Sequence, residues 1–280
     1  MIKNLGGVFG RNPTFNNVEV EGDLTVDGSI IGTVVVDANT LTGATLASNV
    51  LASSLTSVGT LTAVNTSGVI TGTNTTASTS SATGAVIVAG GVGIDKDSYI
   101  NGHKIGRGAG NSNTNIAIGR LAVDNNTGTN VTALGVQAAD QNGGNGVVAF
   151  GYQAGYYNYS DSLVAIGSGA GVANNGAQNI CIGGNAGTSN NAAGIVAVGF
   201  NACASNTGSS VVALGAAAGA AGSGALLVAI GSNAGYGHSG YGAVAIGGYA
   251  MLNSTSGNRN TAIGSNSLDA CSTGGNNTAI

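Results

Sequence analysis

A glycine recurs every 16 residues, at Gly119, Gly135, Gly151, Gly167, Gly183, Gly199, Gly215, Gly231 and Gly247. Two further copies follow at a spacing of 17, "TAIG" ending at Gly264 and "TAI" ending at Ile280. A fixed period is the signature of a repeat architecture. This one is too short for a pair of helices and fits one turn of a β-solenoid. Successive coils would stack at about 4.8 Å, so roughly ten of them make a rod about 50 Å long.

The residues around the anchor glycine say what each coil contains. The residue just before it is always large and apolar: Ile118, Leu134, Phe150, Ile166, Ile182, Val198, Leu214, Ile230, Ile246 and Ile263. Three positions before the anchor the residue is β-branched, from Ile116 to Thr278. Between these two it is small: Ala117, Ala133, Ala149, Ala165, Cys181, Ala197, Ala213, Ala229, Ala245 and Ala262. Large-small-large alternation is a strand signal of period two, with two bulky side chains on one face and a methyl on the other. Gly and Asn then mark turns, because they tolerate positive φ.

The same period disposes of a nucleotide site. "LVAIGSGAGVANN" (163–175) reads as a strand running into a glycine-rich turn. A dinucleotide fingerprint needs one such turn opening a long helix. Here the next apolar strand returns too soon, and Val172 stands where the third glycine belongs. The glycines are read as corners of a coil.

Two assignments of faces follow. The bulky residues before the anchor are expected to fill each coil's core, so that Ile166→Asp or Ile230→Asp should abolish folding. The methyl-only face, Ala117, Ala133, Ala149, Ala165, Ala197, Ala213, Ala229 and Ala245, is expected to form a contact between copies of the chain. A thin, glycine-rich coil buries little apolar surface against a large ordering entropy. Association in closed symmetry adds the missing burial.

The "[V/I]-A-[I/L]-G-x-x-A" unit over residues 111–280 resembles the head repeats of YadA-like trimeric autotransporter adhesins. That resemblance implies a left-handed parallel β-roll with three chains side by side. "GNRNTAIGSNSL" (257–268) and "GGNNTAI" (274–280) look like the same repeat as it occurs in bacteriophage fibre proteins. Upstream, "GDLTVDG", "SSLTSVGTL" and "STSSATGAVIVAGGVGI" are similar to segments of tail-fibre and structural proteins of large tailed phages, cyanophages among them. An autotransporter also needs an export signal and a membrane barrel, and neither is read here. The chain stops at Ile280, where an anchor glycine is due, so the fibre is expected to continue.

The expected organisation is an N-terminal attachment segment (1–17), a β-rich stem with a short helix (18–75), a second β stem module (76–110) and the β-roll (111–280). In the stem, "FNNVEVEGDLTVDGSIIGT" (15–33) alternates as a hairpin or meander, and "LASNVLASSLTSVGTL" (46–61) carries the helical spacing. Residues 76–106 read as a polar stretch, an apolar strand and a Gly-Gly turn. The fold class is all-β.

Composition bounds the chemistry. Charged residues are 6% of the chain, against roughly 25% in typical soluble domains. A net charge of −4 with no basic cluster gives nucleic acid no footprint. Apolar residues reach 42% and are regularly placed, which excludes disorder. There is no apolar run long enough to span a membrane and no signal-type h-region in "MIKNLGGVFGRNP". Cys181, Cys203 and Cys271 are read as free, buried, small apolar residues. His103 and His238 are read as exposed loop residues. Asp124 and Asp140 fall on neighbouring coils, where they could bind a cation or simply be solvated. Asp95 and Asp97 in "DKDS" make half of a calcium loop and lack the rest. Tyr152, Tyr156, Tyr157 and Tyr159 form a candidate surface aromatic patch, suited to sugar stacking or to packing at a chain contact.

No catalytic residue, cofactor or metal is expected. The expected function is a non-enzymatic virion structural protein, a homotrimeric tail fibre or shaft in the phage particle. Its N-terminal region would meet other tail or baseplate proteins, and a host-surface receptor is a further partner. The alternative is a bacterial surface adhesin or other β-solenoid binding module. An ice binder would need a Thr ladder, which the repeats lack. A tailspike glycosidase would need paired carboxylates about 5–9 Å apart, in a chain with two glutamates and no Trp.

Overall fold

The computed structural model describes residues 63–73, 75, 86–88, 90–109, 112–254 and 256–280. The expected hairpin at 15–33 and helix at 46–61 lie outside these residues. Contacts divide the chain into two units, Met1–Ala85 and Val86–Ile280. Among the described residues every regular element is a strand.

A hairpin opens the second unit. β1 (Ser98–Ile100) and β2 (His103–Gly106) pair antiparallel across Asn101 and Gly102, whose φ angles are 49° and 77°. Two consecutive left-handed residues, Asn then Gly, make the turn whose twist matches a two-residue hairpin. β2 pairs antiparallel with β3 (Ile116–Ile118), so one sheet crosses the boundary expected at 110. The strand expected in "VIVAG" is not formed: Val86, Ile87 and Val88 are exposed and outside any strand.

From β3 to β13 (Thr278–Ala279) the sheet is parallel, and each strand pairs with the next in strict sequence order. The register is one coil per step: Val148↔Val164, Ala149↔Ala165, Phe150↔Ile166. The sequence period thus becomes a β-solenoid of about ten coils. Where the period lengthens to 17, Val244 still pairs with Thr261 and Ala245 with Ala262, so the extra residue is taken up at a corner.

The opposite wall is not a regular strand, yet it is equally well bonded. After each anchor, alternate residues take left-handed φ: Gln153 (55°), Gly155 (64°) and Tyr157 (55°) in one coil. Alternating handedness turns successive amides up and down the axis. Gln153 donates to the Val136 carbonyl of the preceding coil at 3.0 Å, and Gly155 to Ala170 of the following coil at 2.8 Å. The anchor is glycine because its φ is 126–141° wherever another coil follows, and a Cβ there would strike the next anchor's backbone. At Gly167 it would lie 2.6 Å from the Gly183 carbonyl oxygen.

The alternation of each strand is as expected, but its two faces are reversed. The alanines point into the chain's own core: Ala117, Ala133, Ala149, Ala165, Ala197, Ala213, Ala229 and Ala245 are 0–1% exposed. The bulky residues point outward. Leu134, Phe150, Ile166, Leu214, Ile230 and Ile263 are exposed, and Ile118, Ile182, Val198 and Ile246 are half-buried. The reason is the width of the coil. The core column facing the strand alanines is itself small, Ala122, Ala138, Ala154, Ala170 and onward, followed by glycine at Gly155, Gly171 and Gly187. A Cβ at Gly171 would already lie 3.2 Å from the Ala165 methyl. There is no room for isoleucine between such walls. The large buried side chains come instead from four residues before the anchor: Val131, Val147, Leu163, Ile195, Val211 and Leu227.

Candidate functional site

Inside the roll, a column of asparagines occupies the seventh position after the anchor. Asn142 Nδ2 donates to Asn126 Oδ1 at 2.8 Å, Asn158 to Asn142 at 2.8 Å, Asn174 to Asn158 at 3.1 Å and Asn190 to Asn174 at 3.2 Å. Each amide also donates to a backbone carbonyl two residues on, as from Asn158 to Ser160 at 2.7 Å. All five are buried, which requires such pairing. The column was legible in the spacing, since Asn126, Asn142, Asn158, Asn174, Asn190 and Asn206 are 16 apart, but Asn reads first as a turn former.

His238 takes the same position three coils after Asn190, and so is fully buried rather than an exposed loop residue. Its ring Nδ1 lies 2.9 Å from the Ser254 carbonyl, and Nε2 has no hydrogen-bond partner. Burial pulls its pKa below 6.5, and the Ser254 and Gly240 carbonyls act in the opposite direction. His103 is exposed, at the start of β2. Cys181 and Cys203 are buried free thiols, pushed up to about 12 by burial, with Cys181 adding to the effect on Cys203. Cys271 is free and partly exposed.

Outside the roll there are two features. The first is the apolar face of the parallel sheet. Ile116, Leu134, Phe150, Ile166, Ile180, Val212, Leu214, Ile230 and Ile263 are each 36–53% exposed, in two columns along the whole sheet. Ten coil spacings of about 4.8 Å by three residues of about 3.3 Å make an apolar strip of roughly 500 Å² in projection.

The second is a polar and aromatic corner in the first three coils. Tyr156 and Tyr157 meet edge to face, with centroids 4.3 Å apart. Tyr157 is also the main cause of a raised Tyr156 pKa, with smaller contributions from Asp140 and Tyr152, so these groups are neighbours. Gln141 Nε2 donates to Tyr156 Oη at 3.5 Å, and Gln153 Nε2 to Gln137 Oε1 at 3.2 Å. Tyr159 stands apart from this group, its ring 3.2 Å from where a Cβ on Gly143 would lie.

Asp140 is buried and its Oδ1 has no hydrogen-bond partner. Burial raises its pKa, and the charge of Asp124 raises it further, against hydrogen bonds from Gln141 and Asn125. Asp140 is thus held in the coil wall rather than solvated. Among the described residues no three His, Cys, Asp or Glu side chains gather as a metal site.

The hairpin caps the first coil around Asp97. This carboxylate accepts from the Arg107 amide at 2.9 Å and pairs with the buried Lys104 ammonium at 3.7 Å. Beside it, a depression of about 150 Å³ is lined by Tyr99, Gly102, Lys104, Arg120, Leu121 and Asp124. Among the described residues no helix is long and apolar enough to cross a membrane. Comparison with protein-family models, with curated proteins and with solved structures gave no match.

Proposed function

We propose that this chain is a non-enzymatic structural protein of a phage virion, a homotrimeric tail fibre or fibre shaft. The observation that carries this reading is the exposed apolar face of the sheet. A contiguous apolar strip of that extent is in the upper part of the range that single chains expose, and patches of this size are often association surfaces. The strip repeats at every coil and is rimmed by polar corners, so a second and third copy of the same chain offer the matching surface. Closed symmetry would cover all the faces at once. The trimer contact is thus assigned to Ile166, Ile230 and their columns, not to the alanines.

The repeats then serve as a stiff spacer. Joined by the N-terminal region to other tail or baseplate proteins, they would hold host-recognition parts away from the particle. The alternative, a bacterial surface adhesin or another solenoid binding module, draws on the tyrosine corner. The scarcity of charged residues in the repeats suits a shaft better than a catalytic groove.

The experiment is light scattering on the wild type and on an Ile166→Asp, Ile230→Asp double variant. Three chains per particle are expected for the wild type. The variant is expected to be a monomer with unchanged β-sheet circular dichroism, because both side chains lie outside the chain's own core. A folded wild-type monomer would overturn the fibre reading.

A further inference from the structure

The first three coils gather charged, amide and tyrosine side chains at one corner. Five positions after the anchor the column reads Asp124, Asp140, Tyr156, and one position on it reads Asn125, Gln141, Tyr157. Two after the anchor stand Gln137 and Gln153, and one after it Arg120 and Tyr152. In the seventh coil these four positions are Ala216, Ala217, Ala220 and Ala221. Asp124 acts on Asp140, Asp140 and Gln141 adjoin Tyr156, and Tyr156 adjoins Tyr152 and Tyr157, while Asp124 also lines the cap depression beside Tyr99.

We propose that this strip binds a hydroxylated carbohydrate chain, running from the cap depression at Arg120 and Asp124 across to Tyr152 and Tyr157. Tyr152 and Tyr157 are 53% and 36% exposed, with a phenol at the tip and an aromatic face for the C–H side of a sugar ring. The Gln137–Gln153 pair presents an amide donor and an amide acceptor one coil apart, the pairing that vicinal hydroxyls satisfy. Arg120 and Asp124 at the depression add one strong donor and one strong acceptor. Mixed charge gives a polyanion no advantage there. Few apolar groups and a narrow strip give a protein partner little to bury. From the cap to the third coil the strip spans about three coil spacings of about 4.8 Å, the length of a short oligosaccharide. These columns are separate from the apolar sheet face, so the proposal does not rest on trimer formation.

The test is a glycan array carrying bacterial surface oligosaccharides, probed with the full chain, followed by saturation-transfer NMR with the best-retained glycan. Binding is expected for the wild type. A Tyr152→Ser, Tyr157→Ser variant is expected to lose at least tenfold in affinity. Tyr241→Ser, an exposed tyrosine of a distant coil, should bind as the wild type does. Circular dichroism checks that all three chains are folded. Retention of no glycan by the wild type, or equal retention by the double variant, overturns the proposal. The association state is read separately, so a monomer that binds glycans would sink the fibre reading and leave this one standing.

Discussion

Asn158 donates one amide hydrogen to Asn142 Oδ1 in the coil before it, at 2.8 Å, and the other to the carbonyl of Ser160 in its own coil, at 2.7 Å. The same side chain accepts from Asn174 at 3.1 Å. One residue therefore ties three coils together and holds a corner closed, in a place no water reaches.

Removing that amide strands its partners. Asn158→Ala is expected to cost at least about 2 kcal/mol, since a buried polar group left without a partner costs about 1–3 kcal/mol. Asn158→Asp should cost more, because the carboxylate oxygen replacing the amide nitrogen would face two acceptors. Urea midpoints at neutral pH measure both. Equal stability for the Asp variant would mean that the column is packed but not bonded.

His238 gives the roll an acid-sensitive point. The native state holds it neutral, with its pKa below 6.5, while the unfolded chain takes up a proton as pH falls through about 6.5. Stability is therefore fully present above that value and declines as pH drops toward the folded pKa. The urea midpoint of the wild type should fall between pH 7.5 and 5. In His238→Asn, which puts a non-titrating amide at this position, the fall should be smaller, and an identical pH dependence would remove His238 as its source.

Backbone handedness predicts two opposite outcomes for glycine. Gly167→Ala places a methyl against the Gly183 carbonyl at φ 128°, and should cost on the order of 3 kcal/mol. Leu226 has φ 54° and is 47% exposed, where other coils carry Gly146, Gly194 and Gly242. Leu226→Gly relieves about 1–2 kcal/mol of left-handed strain and adds about 0.5–1 kcal/mol of unfolded-chain freedom. The melting temperature should rise slightly. A fall would show that the leucine side chain packs against something its exposure does not reveal.

The period, the strands and the corners were all legible in the sequence, because glycine, alanine and a β-branched residue return to the same three places in every coil. Which face turns inward was not. Ile166 beside Ala165 fixes that two faces exist, and a rule that bulk goes inside picks the wrong one. The answer depends on the opposite wall, Ala170 and Gly171, whose closeness leaves space only for a methyl. His238 was misread for a related reason. Its neighbours Gly237 and Ser239 look like a loop, and only its distance from the anchor puts it in the asparagine column. The tyrosine group was visible as a cluster in sequence, but its partners Gln141 and Asp140 come from the coil before and appear only once the register is known.

The one-coil register of the sheet also bears on how such a chain can change. Within the parallel part of the sheet every strand touches only the strand 16 or 17 residues before it and the one after it. Duplicating or deleting a whole coil in the gene leaves each remaining neighbour with an equivalent neighbour, and lengthens or shortens the molecule by one strand spacing. Reach is thus inherited in fixed increments, while the chemistry of any single coil is free to diverge.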